Sequence, residues 1–287
     1  MSTQQKRIFW PIVLIVGLAL GALAFASAHA GRRTMEGSSR ASQNSPAAAN
    51  PRSEEYVNRG RLSPQLRWKL KAFGDRLEKP GKERVTLAGT LMRPADVAPV
   101  PVLLVLQFPD RLRLVMQVGG QSRVITFNGY AARGQGGPPL DPREEDLIET
   151  LVYDTPEHFF GTQSQSISTR FLGEHFRPDG GTGTEYSGPF YDVYQMTERI
   201  GQGVSARSQT KLFCFNSNTH LLERISYDLE RNRSRTPVEI QLSGWRQVQE
   251  QQVPSRILRW ESGQPAWTLT INSAALSVGV EDGAFGT

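Results

Sequence analysis

The chain has 287 residues, 38% of them hydrophobic, which allows one large all-β domain or two smaller ones whose core is diluted by polar segments. Its formal net charge of +5 lies in the N-terminal arm: Lys6 and Arg7 precede residue 31 without an acid, and six arginines stand against three glutamates in residues 31–61. From residue 62 onward 25 basic and 25 acidic residues cancel, which excludes a nucleic-acid binder, since phosphate contacts supply most of that affinity.

Residues 1–30 read as an export signal. Lys6 and Arg7 form a charged start, an apolar run extends from Ile8 to Ala26, and Ala28-His29-Ala30 has the small-x-small pattern of a cleavage site. Cleavage after Ala30 is expected, with an uncleaved inner-membrane anchor as the alternative, because the run reaches spanning length. Both place the body outside the cytoplasm, and no cysteine follows to accept a lipid. Residues 31–61 lack periodicity and are rich in Gly, Ser, Ala, Asn and Pro, so they read as a disordered tether.

Ser63 as N-cap with Pro64 behind it starts a helix whose apolar stripe is Leu66, Leu70, Phe73 and Leu77, ended by Pro80-Gly81. A strand over 84–93 and a proline-marked loop follow. Val102 to Leu106 is apolar on both faces, which predicts cover on both sides. In residues 111–118, Arg111, Arg113 and Gln117 alternate with Leu112, Leu114, Met116 and Val118, the period of a strand with one apolar face. Gly119-Gly120 supplies the positive dihedrals of a tight hairpin, residues 123–127 return, and Asn128-Gly129 turns the chain again.

After a loop over ARGQGGPPL, Asp141, Pro142 and Glu144 form a helix start, with Leu147, Ile148, Leu151 and Val152 as its apolar face. Glu144, Glu145, Asp146 and Glu149 cluster there, and the helix N-terminus accounts for them. Thr155-Pro156 starts a second helix leading to Phe159-Phe160. Strands then recur at 171–176, 190–197, 211–215, 222–229, 238–243, 255–260 and 267–272, the rhythm of an antiparallel sheet or barrel.

Catalytic and metal signatures are missing. His158, His175 and His220 stand apart without metal-ligand spacing, and the one cysteine, Cys214, reads as a small buried hydrophobe in LFCF. Ser208 and Lys211 match S-x-x-K but precede a strand, with neither SDN nor KTG following, so the match is assigned to chance. Arg231, Arg233 and Arg235 read as a solvated hairpin tip. No enzyme, cofactor or metal is expected.

The order of these parts resembles the LolA/LolB-type lipoprotein-carrier superfamily. The likeness is carried by an export signal, one helix, a strand pair, FPDRLRLVMQ, TFNGY, a helical insertion and a second meander with KLFCFNSNTHLLERISY and WRQVQEQQVPSRILRW. It covers residues 62–287 and implies an α+β fold, mainly β: a strongly curved antiparallel sheet forming an incomplete barrel with a helical lid over its concave face. It further implies a periplasmic, monomeric, non-enzymatic carrier of lipid acyl chains or a lipidated protein. Phe108, Leu112, Leu114 and Met116 fall where the family lines its cavity. Phe108 replaces the arginine with which the lipoprotein carrier holds its lid, so that device is not inherited. The alternative is a sensor or interaction protein of the same fold, like regulators that bind anti-sigma factors, with a membrane-protein partner. A hydrolase would rest on Ser208 and Lys211 alone.

Overall fold

The computed structural model describes residues 62–74, 83–107, 111–129, 131–161, 168–177, 187–200, 207–231, 234–278 and 285. The expected export signal, tether and Phe108 lie outside these residues, as do Leu77 and Arg233.

The first helix, α1 (Pro64–Ala72), begins as its cap residues require, with the Ser63 hydroxyl accepting from the Leu66 amide at 3.3 Å. It ends at Ala72, short of the apolar repeat, and Gly74 turns the chain with φ +81°. Leu66, Leu70 and Phe73 are buried.

Ten strands follow the expected meanders: β1 (Glu83–Met92), β2 (Val100–Gln107), β3 (Arg111–Val118), β4 (Gln121–Asn128), β6 (Ser168–Phe176), β7 (Tyr191–Ile200), β8 (Arg207–Asn216), β9 (Leu222–Arg231), β10 (Ser234–Ser243) and β13 (Arg256–Glu261). An eleventh, β14 (Gln264–Val278), is longer than its apolar run, and β5 (Ala132–Gln135) forms in what reads as loop. These twelve make one antiparallel sheet in the order β5-β4-β3-β2-β1-β14-β13-β10-β9-β8-β7-β6. Its ends, β5 and β6, do not pair with each other, so the barrel is incomplete. Two short strands, β11 (Arg246–Val248) and β12 (Gln251–Val253), form a separate ribbon against α1, where the Gln252 amide donates to the Phe73 carbonyl at 3.2 Å.

The hairpin between β3 and β4 turns on Gly119 (φ +58°) and Gly120 (φ +80°), the pairing that a right-twisted ribbon favours. Irregular register at Ala88/Gly89, Cys214/Phe215 and Arg259/Trp260 bends the sheet locally. At the first of these a side chain is impossible. A β-carbon on Gly89 would stand 1.9 Å from the Thr270 carbonyl oxygen, so β1 and β14 close only because residue 89 is glycine.

The two helices between β5 and β6, α2 (Pro142–Tyr153) and α3 (Pro156–Gly161), share one core with one face of the sheet. On the other face β2 is covered less than its sequence predicts: Val105 is buried, but Leu103 stays 39% exposed, since no second layer covers it among the described residues.

Candidate functional site

The lid starts where side chains satisfy its first amides. Asp141 accepts from the amides of Arg143 and Glu144, each at 2.8 Å, and Glu144 reaches back to the Asp141 amide. Thr155 does the same for α3, accepting from the His158 amide at 3.1 Å. Leu147, Ile148, Leu151 and Val152 then face inward and are buried. Phe159 and Phe160 are fully enclosed. Phe159 meets Phe213 at 4.8 Å and Phe215 at 5.1 Å between ring centroids, while Phe160 meets Phe73, which caps α1, at 5.8 Å.

Beneath α2 lies β3. Its alternation is realised as far as Met116: Leu112, Leu114 and Met116 are 0%, 2% and 1% exposed, Arg113 and Val115 are half-buried and Gln117 is exposed, but Val118, expected on the apolar face, is exposed at the hairpin end. Their ladder partners continue an apolar floor, Leu106 and Phe127 beside Leu112, and Leu104 and Ile125 beside Leu114. The structure thus brings these three expected site residues together under the lid. They are packed against the protein's own side chains and line none of the three pockets described at these residues. One of those pockets, about 390 Å³, opens at the N-terminal edge of the lid between Leu147, Arg93, Pro94, Ala266 and Trp267.

Around the apolar floor, charged side chains fasten the lid to five strands. Arg123 of β4 grips Glu144 through two hydrogen bonds of 3.1 and 2.8 Å. Gly134 and Gly137 leave room for its guanidinium, which a β-carbon at either would approach within 3.0 Å. Arg231 of β9 holds Asp146 with two bonds, one of 2.7 Å, and Arg207 of β8 reaches Glu149 at 2.5 Å. Arg259 of β13 donates to the Thr150 hydroxyl at 2.6 Å. At the far end Lys211 of β8 meets Asp154 at 2.7 Å, Tyr227 donates to the same carboxylate at 2.9 Å, and Glu198 of β7 meets His158 at 2.6 Å.

The electrostatics follow from burial and these pairings. Burial works against the Glu198 carboxylate, but His158 and Lys211 overcome it and hold its pKa down to about 2. Burial likewise disfavours the Lys211 ammonium, yet Asp154 and Glu198 raise it. For Asp146 burial wins over Arg259 and Arg231, and its pKa is raised. The Tyr227 phenol is pushed well up by burial and by Asp154.

These fasteners are the part that sequence reasoning missed. The acids of α2 do serve its N-terminus, but Glu144, Asp146 and Glu149 each also bind an arginine of the sheet. Arg231 is not at a solvated tip; it reaches the lid, whereas Arg235 pairs at the surface with Glu230. Lys211 of the S-x-x-K match is 2% exposed and holds Asp154. A signal was present in the acids spaced along α2 and the arginines and lysine on strands, but nothing in the spacing pairs them.

Sequence comparison matches the chain to no family model and to no curated protein. Its fold is similar to that of a LolA superfamily protein from Nitrosomonas europaea, at 11% identity over 77% of this chain and 97% of that one, with a TM-score of 0.51. A putative outer membrane lipoprotein-sorting protein domain from Vibrio parahaemolyticus aligns over 77% and 94% of the two chains at 8% identity and a TM-score of 0.48. A DUF1329 family protein from Desulfovibrio piger aligns over 77% and 95% at 10% identity and 0.48.

Proposed function

We propose, with a LolA-superfamily fold as the premise, that this chain is a periplasmic, monomeric, non-enzymatic carrier that takes acyl chains of a lipid or lipidated protein between sheet and lid. The observation that supports this is the manner of fastening: an apolar floor under α2 and α3, ringed by ion pairs that bind the lid to five strands. The Arg231–Asp146 and Arg207–Glu149 pairs are partly exposed, and such pairs contribute about 0–1 kcal/mol each. Separating these two into water costs little, and the floor formed by Leu112, Leu114 and Met116 with their ladder partners is apolar. Burial contributes about 0.8 kcal/mol per methylene, so an acyl chain burying roughly ten methylenes supplies about 8 kcal/mol toward displacing the lid. Leu112, Leu114 and Met116 are the proposed contacts, and Phe108, outside the described residues, is assigned with them. The pocket beside Leu147 and Trp267 is the proposed entry. Residues 1–30 are proposed to direct export and residues 31–61 to serve as the tether.

The test is fluorescent fatty-acid binding to wild type, Leu114→Glu and Arg113→Glu, each with an unchanged circular-dichroism spectrum. Leu114→Glu puts a carboxylate where water is scarce and should weaken binding by tenfold or more, while Arg113→Glu, on the opposite face, leaves it intact. Equal binding in all three sinks the reading. Native mass spectrometry of periplasm-purified protein separates the alternative: co-purifying lipid or lipopeptide supports a carrier, a stoichiometric polypeptide a sensor.

A further inference from the structure

The sheet face turned away from the lid carries a groove of about 890 Å³ that runs across the strands rather than along them. Gln195 of β7, Leu212 of β8, Ser226 of β9, Glu239 of β10 and Trp260 of β13 are successive ladder partners, and all five line it. Five strands at a spacing of about 4.8 Å make this row roughly 19 Å long.

Its position decides how it can recognise a ligand. The backbone amides and carbonyls of interior strands are committed to the ladder, so a peptide adding as a strand finds nothing to pair with here. Recognition falls to side chains. Ser226 and Thr210 offer hydroxyls, Gln195 an amide, and Trp260 a half-buried indole ring. The charges nearly cancel: Glu239 is paired with Arg224, Glu230 with Arg235 and Arg207 with Glu149 of the lid, which leaves Asp228 as the carboxylate without an ion-pair partner among the described residues. A groove without net positive charge does not select phosphates, and its apolar stretches at Leu212, Pro237, Val238 and Trp260 are interrupted by hydroxyls, an amide and a carboxylate, which a continuous acyl chain would have to desolvate.

We infer that this groove binds a neutral oligosaccharide. A sugar chain is elongated, presents hydroxyls that both donate and accept along its edges, and has apolar C–H faces. The side chains of Ser226, Thr210, Gln195 and Asp228 meet the former, and the half-buried Trp260 ring meets the latter. The groove lies on the face opposite Leu112, Leu114 and Met116, so the inference does not rest on the carrier reading.

Isothermal titration of the full chain with chitotetraose, cellotetraose and maltotetraose tests it, with tetra-alanine and inorganic phosphate as controls. Saturable binding of at least one sugar is expected, weakened about tenfold or more by Trp260→Ala and by Asp228→Ala. Thr210→Trp, at an exposed position, fills the groove without touching the core and should abolish binding even if Trp260→Ala misfolds. Arg113→Glu should leave the affinity within twofold. Failure of all three sugars to bind overturns the inference. So does binding that survives both Asp228→Ala and Thr210→Trp, or equal binding of tetra-alanine.

Discussion

Lys211 shows what single residues contribute to the lid. Its ammonium is enclosed between Asp154 at 2.7 Å and Glu198 at 3.5 Å, with the Tyr227 ring 5.2 Å away. Replacing it by methionine keeps the volume but leaves Asp154 buried without its cation and Glu198 with His158 alone. Such a break costs roughly 3–5 kcal/mol, and for a domain of this size each kcal/mol lowers Tm by about 2–4 °C. Lys211→Met should therefore melt about 6–20 °C below wild type by differential scanning calorimetry, and a shift under 2 °C would show that the pair contributes nothing. Cys214 illustrates the opposite case, a reactive group silenced by position. It lies on the outer face beside Tyr191 and Val193, and burial pushes its thiol up to about 11. At neutral pH it holds almost no thiolate, so a thiol reagent should label it slowly until denaturant is added.

At the scale of the element, the lid is held by pairs of unequal depth. Arg231 and Arg207 are about a third exposed, whereas Lys211, Glu198 and Arg259 at the inner end and Arg123 with Glu144 at the first turn are nearly enclosed, so the lid is fastened firmly at both ends and more weakly between them. The inner end has a pH signature. Glu198 titrates at about 2 in the folded chain against an ordinary 4.5, a depressed carboxyl. Its contribution is present above the ordinary value and is lost as pH falls from about 4.5 toward about 2. Thermal melts between pH 2 and 7 should show a stability loss in that window that is smaller in Glu198→Gln. An identical acid slope in the two proteins contradicts the assignment. Asp146 acts with the opposite sign, since its raised pKa favours the protonated form in the folded chain at acid pH.

The lid also marks where sequence reading stopped. Its helices were legible because cap chemistry is local: Asp141, Pro142 and Glu144 lie within four positions. The β3 face was legible because period-2 alternation follows from the pleat wherever one side is buried. The fasteners were not. Arg123 and Glu144 stand 21 positions apart, Lys211 and Asp154 57, and Arg231 and Asp146 85, so only the bend of the sheet brings them together. The strands β5 and β12 escaped because three or four residues are too few to display a period.

At the scale of the whole molecule, the strand order joins two meanders through a single seam between β1 and β14. A ribosome delivers β1 early and β14 late, so until then β1 waits with one flank of its backbone open. Contacts of such sequence separation make folding slow and leave partly folded chains prone to associate. The seam also runs through Gly89, where only bare backbone fits, so any side chain there obstructs the closing step itself. Deleting residues 264–287 should thus cost more than one strand. It strips the partner from β1 and β13 together, and limited proteolysis should find no resistant core, whereas two surviving fragments would mean that each meander folds alone. The chain is committed to its native state only when its last long strand arrives, which makes the time before that arrival the interval in which a chaperone would matter most.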